Sequence, residues 1–467
     1  MAGHRCLRRP ASEPYRSQGG KCGRRSSRET MRIAYLVSRY PAVSHTFVLR
    51  EVLALRRLGL LIDTFSVRRS RPEELLSTAD REAFETTYAI LPPRIGDLLR
   101  AHAIALLTRP SRYVVTLWLA LRLTPGGLRG TLWQLFYFIE AVIFWHECRR
   151  RGIRHVHAHF ANVAADVALL AASLGGGGAD GWSWSFTMHG SSEFYDAAQN
   201  RLAKKVERAS FVVCISDFCR SQLMALADED HWPKLRKARC GVDVDAYRPG
   251  STESDDSAGA TPGTARILCV GRLTSAKGQA LLIRAVAELS RRRLPVEAVF
   301  VGDGPTRAIL QELAQSLGIG ERVVFTGSVG QDTIRSQYAA ADLFCLPSLA
   351  EGVPVVLMEA MAMGLPVVTT RIMGTPELVD DGVSGLLVSP GRVDELARAL
   401  AELISAPDRR EAMGRAGREK VCAEFEIEQS ARRVHELFVD ELSAATARPI
   451  DARMRDRRLR AMPTSES

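Results

Sequence analysis

Two glutamates, Glu351 and Glu359, lie in a stretch whose order of elements is typical of a ligand-binding edge. A short apolar run predicts a buried strand over 341–346, and an acidic loop follows it. Pro354 suits the first position of a helix, and Gly364 is a natural end for it. Carboxylates accept hydrogen bonds and cannot donate them, so this pair suits the vicinal hydroxyls of a sugar.

The start of this predicted helix is the second chemical feature. It faces the carboxyl ends of a parallel sheet, where open α/β sheets bind their ligands. Its free N–H groups and positive dipole end favour an anion. Glu359 is ~7.5 Å along the helix, but helical side chains lean back toward the N-terminus, so its carboxylate can reach the same place. The stretch therefore predicts a site for a ligand with anionic oxygens and diols, such as a nucleotide sugar.

A basic turn lies upstream, after a predicted strand over 267–270. It contains Gly271, Arg272 and Lys277. Arginine binds phosphate oxygens two at a time and lysine supplies a point charge, so both can converge on a diphosphate. The turn is not a P-loop, because the pattern GxxxxGK[ST] is missing.

The first half of the chain repeats a strand–helix–strand pattern. Strands are predicted over 32–38 and 60–66, with a helix between them that ends at Gly59. This order indicates a Rossmann-like lobe. Ser44 and Thr46 follow the first strand, at the edge where they could meet a ligand.

Histidines mark two further strands. His155, His157 and His159 alternate along one strand, and another strand ends in His189 and Gly190. The three alternating histidines share one strand face but have no fourth ligand nearby in the sequence. A metal site is therefore not expected.

The most apolar stretch, 131–146, is shorter than the ~20 residues of a membrane span and contains Gln134 and Glu140. It is predicted either as a core helix or as a helix that lies on a membrane surface beside the arginines of 149–154. Further on, 239–243 is expected to be the closing strand of the first lobe.

Length and composition limit the number of domains, the charge of a partner and the state of the cysteines. At 467 residues the chain exceeds one hydrophobic core, and a net charge of +10 suggests an anionic partner without identifying it. The nine cysteines form no Cys-x-x-Cys pair, which favours reduced thiols in the cytosol. No apolar signal region is visible in 1–30, and Met31 is an alternative start.

The predicted divisions are a basic extension over 1–30, a first lobe over 31–245, an exposed loop over 246–265, a second lobe over 266–426, a helix over 427–445 that crosses back to the first lobe, and a basic tail over 446–467.

Glu351-x7-Glu359, within EGVPVVLMEAMAMGLPVV, resembles the signature of the retaining nucleotide-sugar glycosyltransferases of sequence family 4. The resemblance implies an α/β fold with two Rossmann-like lobes that face a central cleft, the GT-B arrangement. It places the donor on the C-terminal lobe and the acceptor on the N-terminal lobe.

The resemblance also implies roles for individual residues. Catalysis is expected from His189, Arg272, Lys277 and Glu351, without a metal ion. Donor binding is expected from Gly271, Arg272, Lys277, Glu351, Gly352, Val353, Pro354, Val355 and Glu359, and the acceptor side of the cleft from Ser44, Thr46, His189 and Gly190.

The segments SHTF, HVHAHFAN and FTMHG look most like bacterial transferases of exopolysaccharide and colanic-acid type. This implies a UDP- or GDP-sugar donor and a saccharide or polyprenyl-diphosphate-linked acceptor, with no cofactor and no nucleic acid partner. A cytoplasmic hexosyltransferase is expected, with an anionic membrane surface at the inner face of the cell membrane as a candidate partner. A sugar-nucleotide epimerase is the alternative, followed by a glycoside hydrolase and a non-catalytic binding protein.

Overall fold

Two parallel β-sheets, each covered by helices, organise the residues that the computed structural model describes, which are 31–42, 45–124, 126–176, 181–250 and 263–447. This confirms the predicted α/β class with two Rossmann-like lobes. The predictions for 1–30, for Ser44, for most of the exposed loop and for nearly all of the basic tail lie outside the described residues.

The first lobe contains a seven-stranded sheet in the order β3-β2-β1-β4-β5-β6-β7, with all neighbouring pairs parallel. Its strands are β1 (Arg32–Arg39), β2 (Leu61–Arg68), β3 (Tyr88–Leu91), β4 (His155–His159), β5 (Ser183–Met188), β6 (Val212–Cys214) and β7 (Leu235–Lys237). Its helices are α1 (Thr46–Arg57), α2 (Thr78–Thr86), α3 (Ile95–Thr108), α4 (Pro110–Arg122), α5 (Gly127–Arg150), α6 (Val163–Gly175), α7 (Ser191–Tyr195), α8 (Ala197–Asn200), α9 (Leu202–Arg208) and α10 (Asp217–Leu226).

The second lobe contains a six-stranded parallel sheet in the order β10-β9-β8-β11-β12-β13. Its strands are β8 (Ala265–Val270), β9 (Val296–Val301), β10 (Val323–Gly327), β11 (Leu343–Leu346), β12 (Val367–Thr370) and β13 (Gly385–Val388). Its helices are α11 (Gln279–Arg291), α12 (Arg307–Ser316), α13 (Gln331–Ala339), α14 (Val355–Ala362), α15 (Thr375–Leu378), α16 (Val393–Ser405) and α17 (Pro407–Glu424), and α18 (Ile427–Ala447) follows them.

Strand order reverses at one point in each sheet, between β1 and β4 and between β8 and β11. At such a switch point the two loops that leave the carboxyl ends of the strands diverge and open a crevice. The loop after β8 carries Arg272 and Lys277, and the loop after β11 carries Glu351. The topology therefore brings together residues that are more than seventy positions apart in the sequence.

The prediction of a closing strand over 239–243 is wrong. The first sheet ends with β7, and Val242 forms only an isolated bridge with Glu426. Its N–H donates to the carbonyl of Phe425 at 2.8 Å, and its carbonyl accepts from the N–H of Ile427 at 3.0 Å. The segment thus pairs with the start of α18, and α18 continues onto the first lobe, where Glu428 accepts from Arg57 at 2.5 Å.

The apolar stretch 131–146 lies inside α5, and its two halves differ. The second half is core, since Phe138 and the residues from Glu140 to Trp145 are buried. The first half exposes Leu132, Trp133 and Phe136. The core interpretation therefore holds for the second half of this stretch, and the membrane-surface interpretation of the first half stays a prediction. None of the helices in the described ranges is long and apolar enough to span a bilayer.

Burial of Glu140 on α5 leads to a stability prediction. Glu140 is 5% exposed, and its desolvation raises the pKa of its carboxyl to about 7. The positive charge of Arg68 lowers this pKa, but by less than burial raises it. The folded protein therefore binds more protons than the unfolded chain between about pH 4.5 and pH 7, so this group makes stability fall as the pH rises through that window. We expect Glu140→Gln to stabilise the protein by ~1–3 kcal/mol more at pH 8 than at pH 5.

Urea unfolding of the parent and the Glu140→Gln variant at both pH values measures this difference. Glu402→Gln is a suitable control, because the carboxylate of Glu402 is partly exposed and paired with Arg409. An equal change in stability at pH 5 and pH 8 would contradict the prediction.

Candidate active site

Lys277 and Glu351 form an ion pair at the switch point of the second lobe. The Lys277 ammonium donates to Glu351 Oε1 at 2.5 Å, and the Ser348 hydroxyl donates to the same oxygen at 2.7 Å. Glu351 is 8% exposed, whereas the lysine side chain is about one quarter exposed. The pair therefore presents its cationic side to the crevice and holds the carboxylate beneath it.

The N-terminus of α14 lies directly after this pair. The helix begins at Val355, so Pro354 is its N-cap residue and not its first helical residue, and no side chain caps the helix. The prediction that Pro354 is the first helical residue is therefore corrected by one position. Gly352, Val353 and Pro354 connect Glu351 to the helix, which begins at Val355. The uncapped N–H groups and the Lys277 ammonium together make this a favourable place for an anion.

Arg272 and Gly271 belong to the loop after β8. The backbone of this loop lies directly against the backbone of the loop after β9. The contact is so close that a Cβ on Gly302 would overlap the carbonyl oxygen of Gly271. Arg272 is exposed. Burial is the main cause that lowers the pKa of His45, and the positive charge of Arg272 lowers it further by a smaller amount. Arg272 therefore lies near the first loop of the opposite lobe.

Glu359 is buried in α14 and accepts from both lobes. Its Oε1 accepts from Arg50 of α1 at 2.7 Å, and its Oε2 accepts from the hydroxyl of Tyr338 at 2.9 Å. Arg50 also donates to the hydroxyl of Tyr247 at 3.0 Å and to the side chain of Gln331. The carboxylate that the resemblance assigns to donor binding is thus held by an arginine from across the cleft.

His189 follows β5 and is held on several sides. Its Nε2 is 2.9 Å from His159 Nδ1, its Nδ1 is 3.8 Å from Cys240 Sγ, and its ring packs between Phe47 and Phe160. Burial, reinforced by the neighbouring histidines, holds its pKa well below the usual range. The imidazole is therefore neutral at pH 7.

The three alternating histidines of β4 form a ladder with β5 and the residue after it. His155 bonds to the hydroxyls of Ser183 and Ser185, and His157 bonds to those of Ser185 and Thr187. The last step of the ladder is the pairing of His159 with His189. Within the described ranges, no group of three or more histidine, cysteine or acidic residues is arranged to hold a metal ion.

The two lobes touch through backbone at Gly190 and Gly352. A Cβ on Gly190 would be 2.8 Å from the Cα of Gly352, and a Cβ on Gly352 would overlap the carbonyl oxygen of His189. Glu193 accepts from the N–H groups of His189 and Gly190 at 3.0 and 3.1 Å, which fixes the first of the two loops. The loops that carry His189 and Glu351 are therefore in close backbone contact across the cleft.

The remaining acceptor-side residue, Thr46, is the first residue of α1 and lies at the same edge of the first sheet. Sequence reasoning missed Arg50, Tyr338 and Glu377. Glu377 crosses the cleft in the other direction, because its carboxylate accepts from the N–H groups of Asp217 and Phe218 at the start of α10. A local signal for Arg50 is present in the sequence, because Arg50 interrupts the apolar pattern of α1.

Comparison with known proteins finds a family model that matches part of this chain, and relatives that are similar to part of it. Residues 251–420 match the family model "Glycosyl transferases group 1". A GDP-mannose-dependent alpha-(1-6)-phosphatidylinositol monomannoside mannosyltransferase of Mycobacterium tuberculosis is 36% identical over 197 residues, 40% of this chain and 50% of that protein. A D-inositol 3-phosphate glycosyltransferase of Catenulispora acidiphila is 32% identical over 283 residues, 58% of this chain and 62% of that protein. The chain spans about half to three fifths of the length of these relatives.

Solved structures agree with the fold over most of the chain. Sucrose-phosphate synthase from Thermosynechococcus elongatus superposes with a TM-score of 0.69 at 21% identity, covering 89% of this chain and all of that chain. The Anabaena protein HepE, in complex with UDP and glucose, gives a TM-score of 0.66 at 18% identity and covers 88% of this chain and all of its own. The two lobes thus have the GT-B fold, and over residues 251–420 the chain matches the group 1 glycosyl transferases.

Proposed function

We propose that this chain transfers a sugar from a nucleoside-diphosphate donor to a hydroxyl-bearing acceptor, with retention of anomeric configuration and without a metal ion. The observation that carries the proposal is the Lys277–Glu351 pair beside the uncapped start of α14, at the point where Gly190 and Gly352 bring the lobes together. The donor is assigned to the second lobe, over 266–426, and the acceptor to the first, over 31–245.

The chemistry follows from the charges. Breaking the bond between the anomeric carbon and the phosphate oxygen leaves negative charge on the diphosphate, and Lys277, Arg272 and the helix start are placed to stabilise it. Glu351 orients hydroxyls of the transferred sugar, while Glu359 receives the ribose as Arg50 holds its carboxylate. His189, neutral at pH 7, lines the sugar site from the acceptor side, and its ring nitrogens lie against His159 and Cys240.

The acceptor oxygen forms the new bond to the anomeric carbon, and its proton moves to the leaving phosphate oxygen. This route needs no enzymic nucleophile, and no carboxylate among the described residues is assigned that role. A sugar trapped covalently on Glu351 would overturn this part of the proposal.

For the donor, GDP-mannose is the first candidate to test, because the similar Mycobacterium tuberculosis enzyme is GDP-mannose-dependent, and UDP-sugars are the second. For the acceptor, we propose a polyol or saccharide carried on a lipid, as in exopolysaccharide assembly. The relatives that act on inositol phosphate and on phosphatidylinositol mannosides supply the polyols for the first assays.

The experiment is a panel of GDP- and UDP-sugars scored by release of nucleoside diphosphate, with and without inositol phosphate or a lipid-linked saccharide, in the presence of EDTA. Release that depends on the acceptor and yields a product with the anomeric configuration of the donor supports the proposal. A donor whose sugar is epimerised without any acceptor would instead identify an epimerase, and release of free sugar alone would identify a hydrolase.

A further inference from the structure

Exposed apolar side chains are concentrated on three helices of the first lobe. Of the twenty-two large apolar side chains that the described residues expose, twelve lie between Ile95 and Phe136. Soluble proteins seldom expose a contiguous apolar surface of this kind unless it contacts another molecule. We call the outward sides of α3, α4 and the first half of α5 the α3–α5 face.

Helix α3 is turned so that four of its six large aliphatic side chains face outward, while Leu98 and Ile104 pack partly against the core. Its buried positions are Ala101 and Ala105, whereas Ile95 and Leu107 are 76% and 82% exposed. A core helix normally buries leucines and exposes polar residues. The inversion means that the folding of the lobe itself does not account for these exposed side chains.

The neighbouring helices continue the pattern. On α4, Val114, Val115 and Trp118 are exposed, and on α5 Leu128, Leu132 and Phe136 recur every four residues on one side. The three helices pack together through rings of His102, Tyr113 and Phe138, so their outward sides are neighbours.

Charge in this segment is predominantly positive. Between positions 95 and 139 the sequence contains five arginines and a single acidic residue, Asp97. Arg122 lies over the ring of Trp118, with 3.5 Å between its guanidinium carbon and the ring centroid. Tryptophans and arginines around an apolar surface are typical of helices that lie in the interface of an anionic bilayer.

The geometry points to an anionic lipid bilayer as the partner of the α3–α5 face. A second copy of the chain would bring arginines against arginines in a symmetric contact, which opposes self-association. A bilayer instead accepts the apolar side chains among its acyl chains and the arginines at its anionic headgroups.

The position of the face suits a role beside the cleft. Helix α3 begins just after β3 ends, and α4 ends and α5 begins at the same carboxyl edge of the first sheet that carries Thr46 and His189. A bilayer on the α3–α5 face would therefore lie next to the acceptor side. The inference goes beyond the transfer reaction, since attachment requires no donor and no turnover.

Co-sedimentation of the full chain with vesicles tests the inference. We expect binding to vesicles that contain phosphatidylglycerol and much weaker binding to pure phosphatidylcholine. The combined variant Leu107→Asp, Trp118→Asp and Leu128→Asp is expected to lose about 100-fold or more in partitioning. The control carries Ile309→Asp and Val383→Asp, two exposed apolar positions in the second lobe, and is expected to bind as the parent does.

A second variant separates charge from apolar contact. Replacing Arg112, Arg122 and Arg129 by glutamine is expected to reduce binding to the anionic vesicles by about fivefold per arginine, and to weaken its dependence on salt. Circular dichroism verifies that each variant is folded, and turnover of a water-soluble acceptor reports the transfer reaction separately.

Unchanged vesicle binding by the aspartate variant would overturn the inference. So would equal binding of the parent to both kinds of vesicle, or an absence of vesicle binding together with a concentration-dependent increase in mass that the aspartate variant abolishes. The last result would assign the face to a second copy.

Discussion

Lys277→Ala is expected to lower kcat for sugar transfer by ~10²–10³-fold, with a smaller change in the KM of the donor. The Lys277 ammonium lies 2.5 Å from the carboxylate of Glu351, which is three residues before Pro354 at the start of α14. Charge on the leaving diphosphate is larger in the transition state than in the bound donor, so a lost positive group costs more in kcat than in binding.

The substitution also changes the surroundings of Glu351. The 8% exposed carboxylate keeps the hydroxyl of Ser348 at 2.7 Å, but the ammonium that faced it is gone. Some of the effect could therefore come from a displaced glutamate. Lys277→Arg preserves the positive charge and is expected to retain more activity than Lys277→Ala, because charge rather than shape is the main requirement.

A matched control is available in the same lobe. Lys420 on α17 donates to Asp380 at 2.5 Å, and its side chain is also largely buried. Lys420→Ala removes the same type of ion pair away from the crevice and is expected to leave kcat near the parental value. Parental turnover by a folded Lys277→Ala protein would remove the main support for the proposed function.

The loops that carry Lys277 and Glu351 were predictable as parts of one crevice because each follows a strand in a parallel sheet, but the ion pair between the two side chains was not predicted. Loops that leave the carboxyl ends of such strands converge at one edge, and this rule needs only the local pattern. The same rule led to His189 after β5 and to Thr46 after β1. The fold class and the loops that form the crevice were thus within reach of the sequence.

Arg50 was not predictable in this way. Its partner Glu359 lies 309 positions away and in the other lobe, so their contact depends on how the lobes are placed against each other. The same limit explains the error over 239–243. An extended pattern predicts pairing but does not name the partner, and Val242 pairs beside α18 instead of joining the first sheet.

The side-chain direction of His189 shows a further limit. Its position at a strand end follows from the pattern, but the orientation of its ring depends on His159, Cys240 and two phenylalanines. Such a set of contacts comes from packing between β4, β5 and α1, and no spacing in the sequence encodes it. The position of a residue in the fold was therefore easier to predict than which of its side-chain atoms face the cleft.

Gly352→Ala is expected to lower kcat/KM by about 100-fold while the second lobe still binds nucleoside diphosphate. A Cβ at this position would overlap the carbonyl oxygen of His189 and lie 3.1 Å from Ile215 Cδ1, so the lobes could not approach as closely as they do here. Misplacement by about 1 Å at a reacting centre is enough for a loss of this size.

The opposite loop offers an independent route to the same effect. A Cβ on Gly190 would be 2.8 Å from the Cα of Gly352, so Gly190→Ala is expected to reproduce the loss of kcat/KM from the first lobe. Gly96→Ala is the control, because a Cβ at Gly96 on α3 has no atom within 4 Å. Calorimetric titration with UDP and GDP measures binding to the second lobe, and small-angle X-ray scattering measures the radius of gyration.

These measurements distinguish blocked closure from misfolding. Blocked closure predicts a larger radius of gyration, preserved nucleotide binding and a low kcat/KM for both glycine variants, whereas misfolding would abolish nucleotide binding as well. If both variants instead turn over at the parental rate, the contact between Gly190 and Gly352 does not occur in the reacting complex. The acceptor hydroxyl and the Lys277–Glu351 pair would then have to meet in a different arrangement of the lobes.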